Sequence, residues 1–219
     1  MIDLFILSAA GFLAGVLNAV AGGGTFISLP ALIYVGVPPV MANASATLAA
    51  LPGYTSSAWA FRHDIRGQQG VSASLLMGLA MVGGVIGALL LTITSEALFD
   101  GMIPWLLLLA TGLFAVGPWL LARRQAAGGG SGLAPVPVIA ATLLVVCTYG
   151  GYFNGGLGIM ILAALGLLGF DNLSAMNGLK NGLSAVLSAL SVATFIVADL
   201  IAWEPALVMA VASAIGGML

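Results

Sequence analysis

Lys180 is the only lysine in this chain, and asparagines stand close on both sides of it in Asn177-Gly178-Leu179-Lys180-Asn181. The run around it stays apolar or small up to Val197. Separations of three and four residues place Asn177, Lys180 and Asn181 on one face of a helix. An ammonium and two amides on one face make a donor set for an anion, the ammonium supplying charge and the amides hydrogen bonds to its oxygens. In a membrane span such a cation is expensive and by default marks a site. The competing reading is an ammonium that snorkels to the headgroup layer.

The elements that position this face belong to a membrane. The chain is 61% hydrophobic and 5% charged, against roughly 25% charged in soluble domains. Five Lys/Arg and seven Asp/Glu in 219 residues cannot cover a soluble surface. Apolar runs of roughly 18 residues or more recur, as transmembrane helices require, and the short alternating segments of a β-barrel are missing. The expected class is therefore an all-α polytopic membrane protein. The leading charge is Asp3, with no basic stretch before the first apolar run, so that run belongs to the bundle rather than to a cleaved signal peptide. Cys147 is the lone cysteine, which excludes an internal disulfide and a multi-cysteine metal site. No cofactor, metal or nucleic-acid partner is expected. The expected partners are a small anionic substrate and the lipid bilayer, with a homo-oligomer left open.

Four hydrophobic segments, at about 2–35, 40–61, 70–94 and 102–122, precede a Gly-rich linker at 123–135; three more follow at about 136–169, 172–198 and 203–219. This divides the chain into a first transmembrane repeat, 1–122, the cytoplasmic linker, and a second repeat, 136–219. The first and fifth segments are too long for one span, since 34 residues of helix would run roughly 50 Å across roughly 30 Å of hydrocarbon. Each contains a glycine cluster, Gly22-Gly23-Gly24-Thr25 and Gly150-Gly151-Tyr152-Phe153-Asn154-Gly155-Gly156-Leu157-Gly158, and is expected to break there. Close helix packing is the other use of such glycines, and it accounts for Gly83, Gly84 and Gly87. Gly22-Gly23-Gly24-Thr25 lacks the Gly-Lys-Ser/Thr ending of a phosphate-binding loop.

The halves resemble each other at an offset of 133 to 136 residues: Asn43 matches Asn177, Phe61 matches Phe195, and Gly83-Gly84 matches Gly216-Gly217. All six asparagines, Asn18, Asn43, Asn154, Asn172, Asn177 and Asn181, fall at a glycine break or near the start of the next helix. Amides in hydrocarbon need partners, so their clustering beside broken helices points to a polar cavity. The first half has no cation at the matched place, only Asn43, Ser45 and Thr47, so the site is expected to be asymmetric.

The arginines occupy two places, Arg62 and Arg66 before the third segment and Arg123 and Arg124 after the fourth. Two crossings separate them, so they share the cytoplasmic side by the positive-inside rule. If the fifth segment dips in and returns, the acidic loop with Asp199 and Glu204 lies outside. Each half then has one re-entrant hairpin, and the two repeats run inverted through the membrane. This arrangement is preferred to its alternative, a parallel duplication with four crossings per half.

The stretch from Gly11 to Pro30, with Gly36-Val37-Pro38-Pro39-Val40-Met41-Ala42-Asn43, resembles the first motif of the sulfite exporter TauE/SafE family. Tyr149 to Gly158, with Met176-Asn177-Gly178-Leu179-Lys180-Asn181, resembles its second, a Gly-rich break followed by N-x-x-K-N. The resemblance covers nearly the whole chain and implies transport of sulfur-containing anions: sulfite, thiosulfate or organosulfonates. The expected location is the bacterial inner membrane. The family pattern continues with one more span than is found up to Leu219, so the last span of the second repeat is expected to be missing. The candidate substrate-binding residues are Asn18, Gly22, Gly23, Gly24, Thr25, Asn43, Thr47, Asn154, Gly156, Gly158, Asn177, Lys180 and Asn181. Lys180 supplies the charge, amides supply donors, and helix starts at the breaks add backbone N–H groups and dipole. An anion-selective channel built from the same donors is the alternative function; no nucleophile–base pair supports an enzyme.

Overall fold

The computed structural model describes residues 2–20, 22–68, 70–126 and 132–217. Every regular element among them is a helix: α1 (Ile2–Val20), α2 (Thr25–Tyr34), α3 (Pro39–Ala60), α4 (Ala73–Thr92), α5 (Glu96–Ala126), α6 (Val136–Tyr152), α7 (Leu157–Leu168), α8 (Leu173–Val197) and α9 (Trp203–Gly216). Both long segments break where the glycines cluster, between α1 and α2 and between α6 and α7. α4, α8 and the Glu96–Gly117 part of α5 are long and apolar enough to cross a membrane.

Local chemistry sets the boundaries. Pro39 opens α3, where a missing N–H costs nothing. Ser72 caps α4 by accepting from Leu75 N at 3.2 Å, and Asn172 caps α8 by accepting from Ala175 N at 2.9 Å. Gly169, at φ +103°, ends α7 in the left-handed conformation. One expectation is corrected: α5 begins at Glu96 and runs to Ala126, so Arg123 and Arg124 are helical rather than part of the linker. A carboxylate suits the first turn of a helix, and Gln125 and Ala126 are good helix formers. The Gly-rich centre of the expected linker, 127–131, lies outside the described residues, as does Ala21.

The helices pack as matched pairs. α4 lies on α6 and α8, while α9 lies on α1 and α3, and α3 packs against α8. Glycines permit the closest approaches, as expected for Gly83, Gly84 and Gly87: a Cβ on Gly87 would stand 2.1 Å from the Thr148 carbonyl oxygen, and one on Gly83 would meet Cys147. Contacts that advance together along both helices make α4 and α6 parallel. The same holds for α1 and α9, where Gly11 meets Met209 and Gly15 meets Ser213.

α3 and α8 are antiparallel. The loop after α3 reaches the start of α8, with Gln68 Nε2 donating to Asp171 Oδ1 and Asp64 packed on Gly178. At the other end the turn after α8 reaches the start of α3, where Ala202 N donates to Ser45 Oγ at 2.9 Å. α7 doubles back along α6, since Ala134 N donates to Leu168 O at 2.8 Å. α2 doubles back along α1, since Ser28 lines the same crevice as Gly11 and Ala14. These directions gather Arg62, Arg66 and Arg123 at one end of the bundle, and Asp3, Glu96, Asp100, Asp199 and Glu204 at the other.

Candidate anion site

The two breaks meet. Gly22, at φ +82°, lies so close to the start of α7 that a Cβ there would be 2.7 Å from Gly158 Cα. Only glycine combines that backbone conformation with that approach. Across the contact, the Phe26 ring lies beside Gly23 and Gly156. Gly156 and Asn154 turn the chain in the left-handed region, at φ +71° and +59°, the latter a conformation that asparagine tolerates better than most side chains. α2 and α7 start on either side of this junction, and most of their first N–H groups are already paired there: Phe26 donates to Gly23 O, Ile27 and Ser28 to Gly24 O, Leu157 to Asn154 O and Met160 to Gly156 O.

The predicted site residues divide into those already occupied and those left free. Asn18 Oδ1 accepts from Gly24 N at 2.8 Å, so its carbonyl holds the first break together. Asn43 Nδ2 donates to Tyr152 O at 2.8 Å, tying the start of α3 to the end of α6 and leaving an unpaired acceptor, Oδ1, which does not suit an anion. Thr47 spends its hydroxyl proton on Asn43 O at 3.0 Å. By contrast, both amide atoms of Asn154 and the hydroxyl of Thr25 are buried without partners. An unpaired buried amide or hydroxyl costs about 1–3 kcal/mol, which an acceptor such as an anion would offset at Asn154 Nδ2 and the Thr25 hydroxyl but not at Asn154 Oδ1.

Lys180 is 2% exposed and Asn181 3%, so the ammonium does not reach the surface. Asn177 is half-buried. The α3–α4 loop covers the neighbouring side of α8, where Asp64 packs on Gly178 and Ile65 on Gly182. Leu179 and Leu183 of α8 share one apolar cluster with Leu157 and Ile161 of α7, so the lysine-bearing helix packs on the helix that starts at the second break. α8 contains no acidic residue, and Asp171 and Asp199 lie beyond its two ends.

Four polar side chains escaped the sequence reading. The hydroxyls of Ser184, Ser188, Ser213 and Tyr54 are buried without partners. Ser213 and Asn18 line a crevice between α1, α2, α3 and α9 that has no room for a water molecule. The signal for the α8 pair was present: Asn177, Asn181, Ser184 and Ser188 continue one face at spacings of four, three and four. In an apolar helix a serine reads as an ordinary small residue.

The sequence matches known proteins. Residues 7–219 match the family described as sulfite exporter TauE/SafE. A Haemophilus influenzae protein named "probable membrane transporter protein" is 31% identical over 223 aligned positions, covering 100% of this chain and 84% of that protein. A Sinorhizobium protein named "probable membrane transporter protein ORF9" is 29% identical over 178, covering 81% of this chain and 64% of that protein. No solved structure matches. With the family match running over nearly its whole length and its helices apolar enough to span a bilayer, the chain belongs to the sulfite exporter TauE/SafE family and is a multi-pass membrane transporter.

Proposed function

We propose that this protein moves small sulfur-containing anions, such as sulfite, thiosulfate or organosulfonates, across the bacterial inner membrane, binding them at Lys180. Lys180 carries the reading: a sole lysine, 2% exposed, on a 25-residue helix without an acidic residue. A cation at membrane depth costs about 2.5–3.5 kcal/mol even on the mildest scales. An anionic substrate offsets that cost each time it binds. Asn181 and Asn177 share the face of the lysine, Asn154 Nδ2 and the Thr25 hydroxyl supply further donors, and the helix starts at the two breaks add dipole.

In this reading, residues 1–122 and 136–219 are inverted repeats, each placing one re-entrant hairpin beside its crossing helices. The antiparallel α3 and α8, the parallel pairs α4–α6 and α9–α1, and the Ala134–Leu168 hydrogen bond support it. The end bearing Arg62, Arg66 and Arg123 is cytoplasmic, and the end with five acidic residues faces outward. With no carboxylate inside α8, coupling rests on the membrane potential or on a proton carried by the substrate itself.

Purified protein in liposomes should take up radiolabelled sulfite or thiosulfate with saturation and counterflow, and Lys180→Ala should lose the flux while still folding. Wild-type flux in a folded Lys180→Ala variant would overturn the site. Single-channel currents without counterflow would replace the carrier with a channel.

A further inference from the structure

We propose that Ser184 and Ser188 form a second hydrogen-bonding station for the anion, one and two turns further along α8 from Lys180 toward the acidic end of the bundle. The inference rests on the anion-transport reading above and extends it from a binding point to a path. Both serines are 0% exposed, and neither hydroxyl has a partner. Among the described residues, Thr25, Tyr54 and Ser213 share that state singly, and only on α8 do two unpartnered buried hydroxyls follow one another along the lysine's face. Thr47, Thr55 and Thr194, by contrast, each donate to the carbonyl four residues back at 2.9 to 3.0 Å. A serine in a helix has the same option. Beyond the pair, Ser191 Oγ donates to Gly84 O at 3.3 Å, which ends the run of free hydroxyls and joins α8 to α4.

Geometry links the pair to the lysine. At 3.6 residues per turn, Lys180, Asn181, Ser184 and Ser188 fall within roughly 100° of arc, and Lys180 to Ser188 covers roughly 12 Å of rise. On the opposite side of α8, Ala189, Ala193 and Ile196 are exposed. The polar sector therefore faces inward along its whole length. A hydroxyl is a neutral donor, so it can hold an oxyanion oxygen without trapping the ion as a second ammonium would. The ligand class this fits is a small oxyanion with several acceptor oxygens, handed from the lysine to one serine and then the next.

The test compares Ser184→Ala/Ser188→Ala with Ser184→Thr/Ser188→Thr and Lys180→Ala in liposomes loaded with sulfite, alongside thermal unfolding of each in detergent. The alanine pair should cut flux at low sulfite about tenfold, the expected effect of removing hydrogen bonds to a charged ligand. Its melting temperature should stay level or rise, because an unpaired buried hydroxyl is removed rather than a bond broken. The threonine pair, which keeps the hydroxyls, should retain most of the flux. Wild-type flux in the alanine pair, or a fall in flux that follows a fall in stability, overturns the second station. If Lys180→Ala is inactive while the alanine pair is silent, this inference alone fails. If Lys180→Ala transports normally, the underlying site fails with it.

Discussion

α3 and α8 occupy matched places in the two halves and carry different chemistry. At an offset of 134, Asn43 faces Asn177 in the alignment, Ala46 faces Lys180, Thr47 faces Asn181, Ala50 faces Ser184, and Tyr54 faces Ser188. On α3, the Asn43 amide nitrogen and the Thr47 hydroxyl are spent on backbone carbonyls. On α8, Ser184 and Ser188 keep free hydroxyls, and Lys180 adds a charge. α3 spends its Asn43 amide on pinning its start to the end of α6 and its Thr47 hydroxyl on its own backbone, keeping one unpartnered buried hydroxyl at Tyr54, whereas α8 keeps two and a cation. In the proposed function, this difference places the anion on α8 and not on α3.

The largest effect should come from moving the charge. Lys180→Ala should lower sulfite flux about 100-fold, because a buried charge-assisted interaction disappears. Adding Ala46→Lys in that background should not restore it. Ala46 is 0% exposed, and the donors nearest to it on its own helix, Asn43 Nδ2 and the Thr47 hydroxyl, already serve backbone carbonyls. A lysine there buries a cation without donors beside it, so folded yield should drop as well, read by size-exclusion chromatography. Recovery of transport in the double variant would show that the two helices are interchangeable.

The two ends of the first hairpin give a second contrast. Gly22 and Gly36 both have positive φ, at +82° and +89°. A Cβ added to Gly22 would lie 2.7 Å from Gly158 Cα, whereas nothing lies within 4 Å of one added to Gly36. Gly36→Ala should therefore cost only the backbone strain, about 1 kcal/mol. Gly22→Ala adds a backbone clash at the junction of the breaks and should cost several-fold more, about 3 kcal/mol or above. Thermal unfolding in detergent orders the two, and equal costs would mean that the junction yields.

Much of this was legible in the residues. Glycine clusters disfavour helix without forbidding it, since Gly83-Gly84 stays inside α4 and Gly150-Gly151 inside α6. The asparagine accompanying each long-segment cluster is what located the breaks, and a lone lysine in an apolar run announces a buried cation. The packing use of Gly83, Gly84 and Gly87 followed from their small size and spacing. What escaped depended on partners distant in the chain. That the Asn43 amide donates to the Tyr152 carbonyl depends on a residue 109 positions away, and no local pattern reports it. Thr47 and Ser184 look alike as small hydroxyl residues, and only the third dimension separates a hydroxyl that bonds back from one left free. The length of α5 was missed because arginines after an apolar run read as a loop, although helix-forming residues continue to Ala126.

The smallest effect distinguishes the asparagines of the two breaks, which the sequence treats as equivalents. Asn18 accepts from Gly24 N inside the protein, so Asn18→Ala leaves a buried donor unpaired and should cost about 1–3 kcal/mol of stability. Asn154 holds φ +59° with both amide atoms unpaired. Glycine adopts that conformation at least as readily, so Asn154→Gly should leave the melting temperature within about 2 °C of wild type, as a stability change well under 1 kcal/mol would. Its sulfite flux at low concentration should nonetheless fall a few-fold, about the worth of one hydrogen bond to a charged ligand. A melting temperature that falls as far as that of Asn18→Ala would place Asn154 among the structural residues, and the two breaks would then differ only in sequence. Loss of flux at unchanged stability would make the second break, like the second of the two central helices, the half of the molecule that touches the anion.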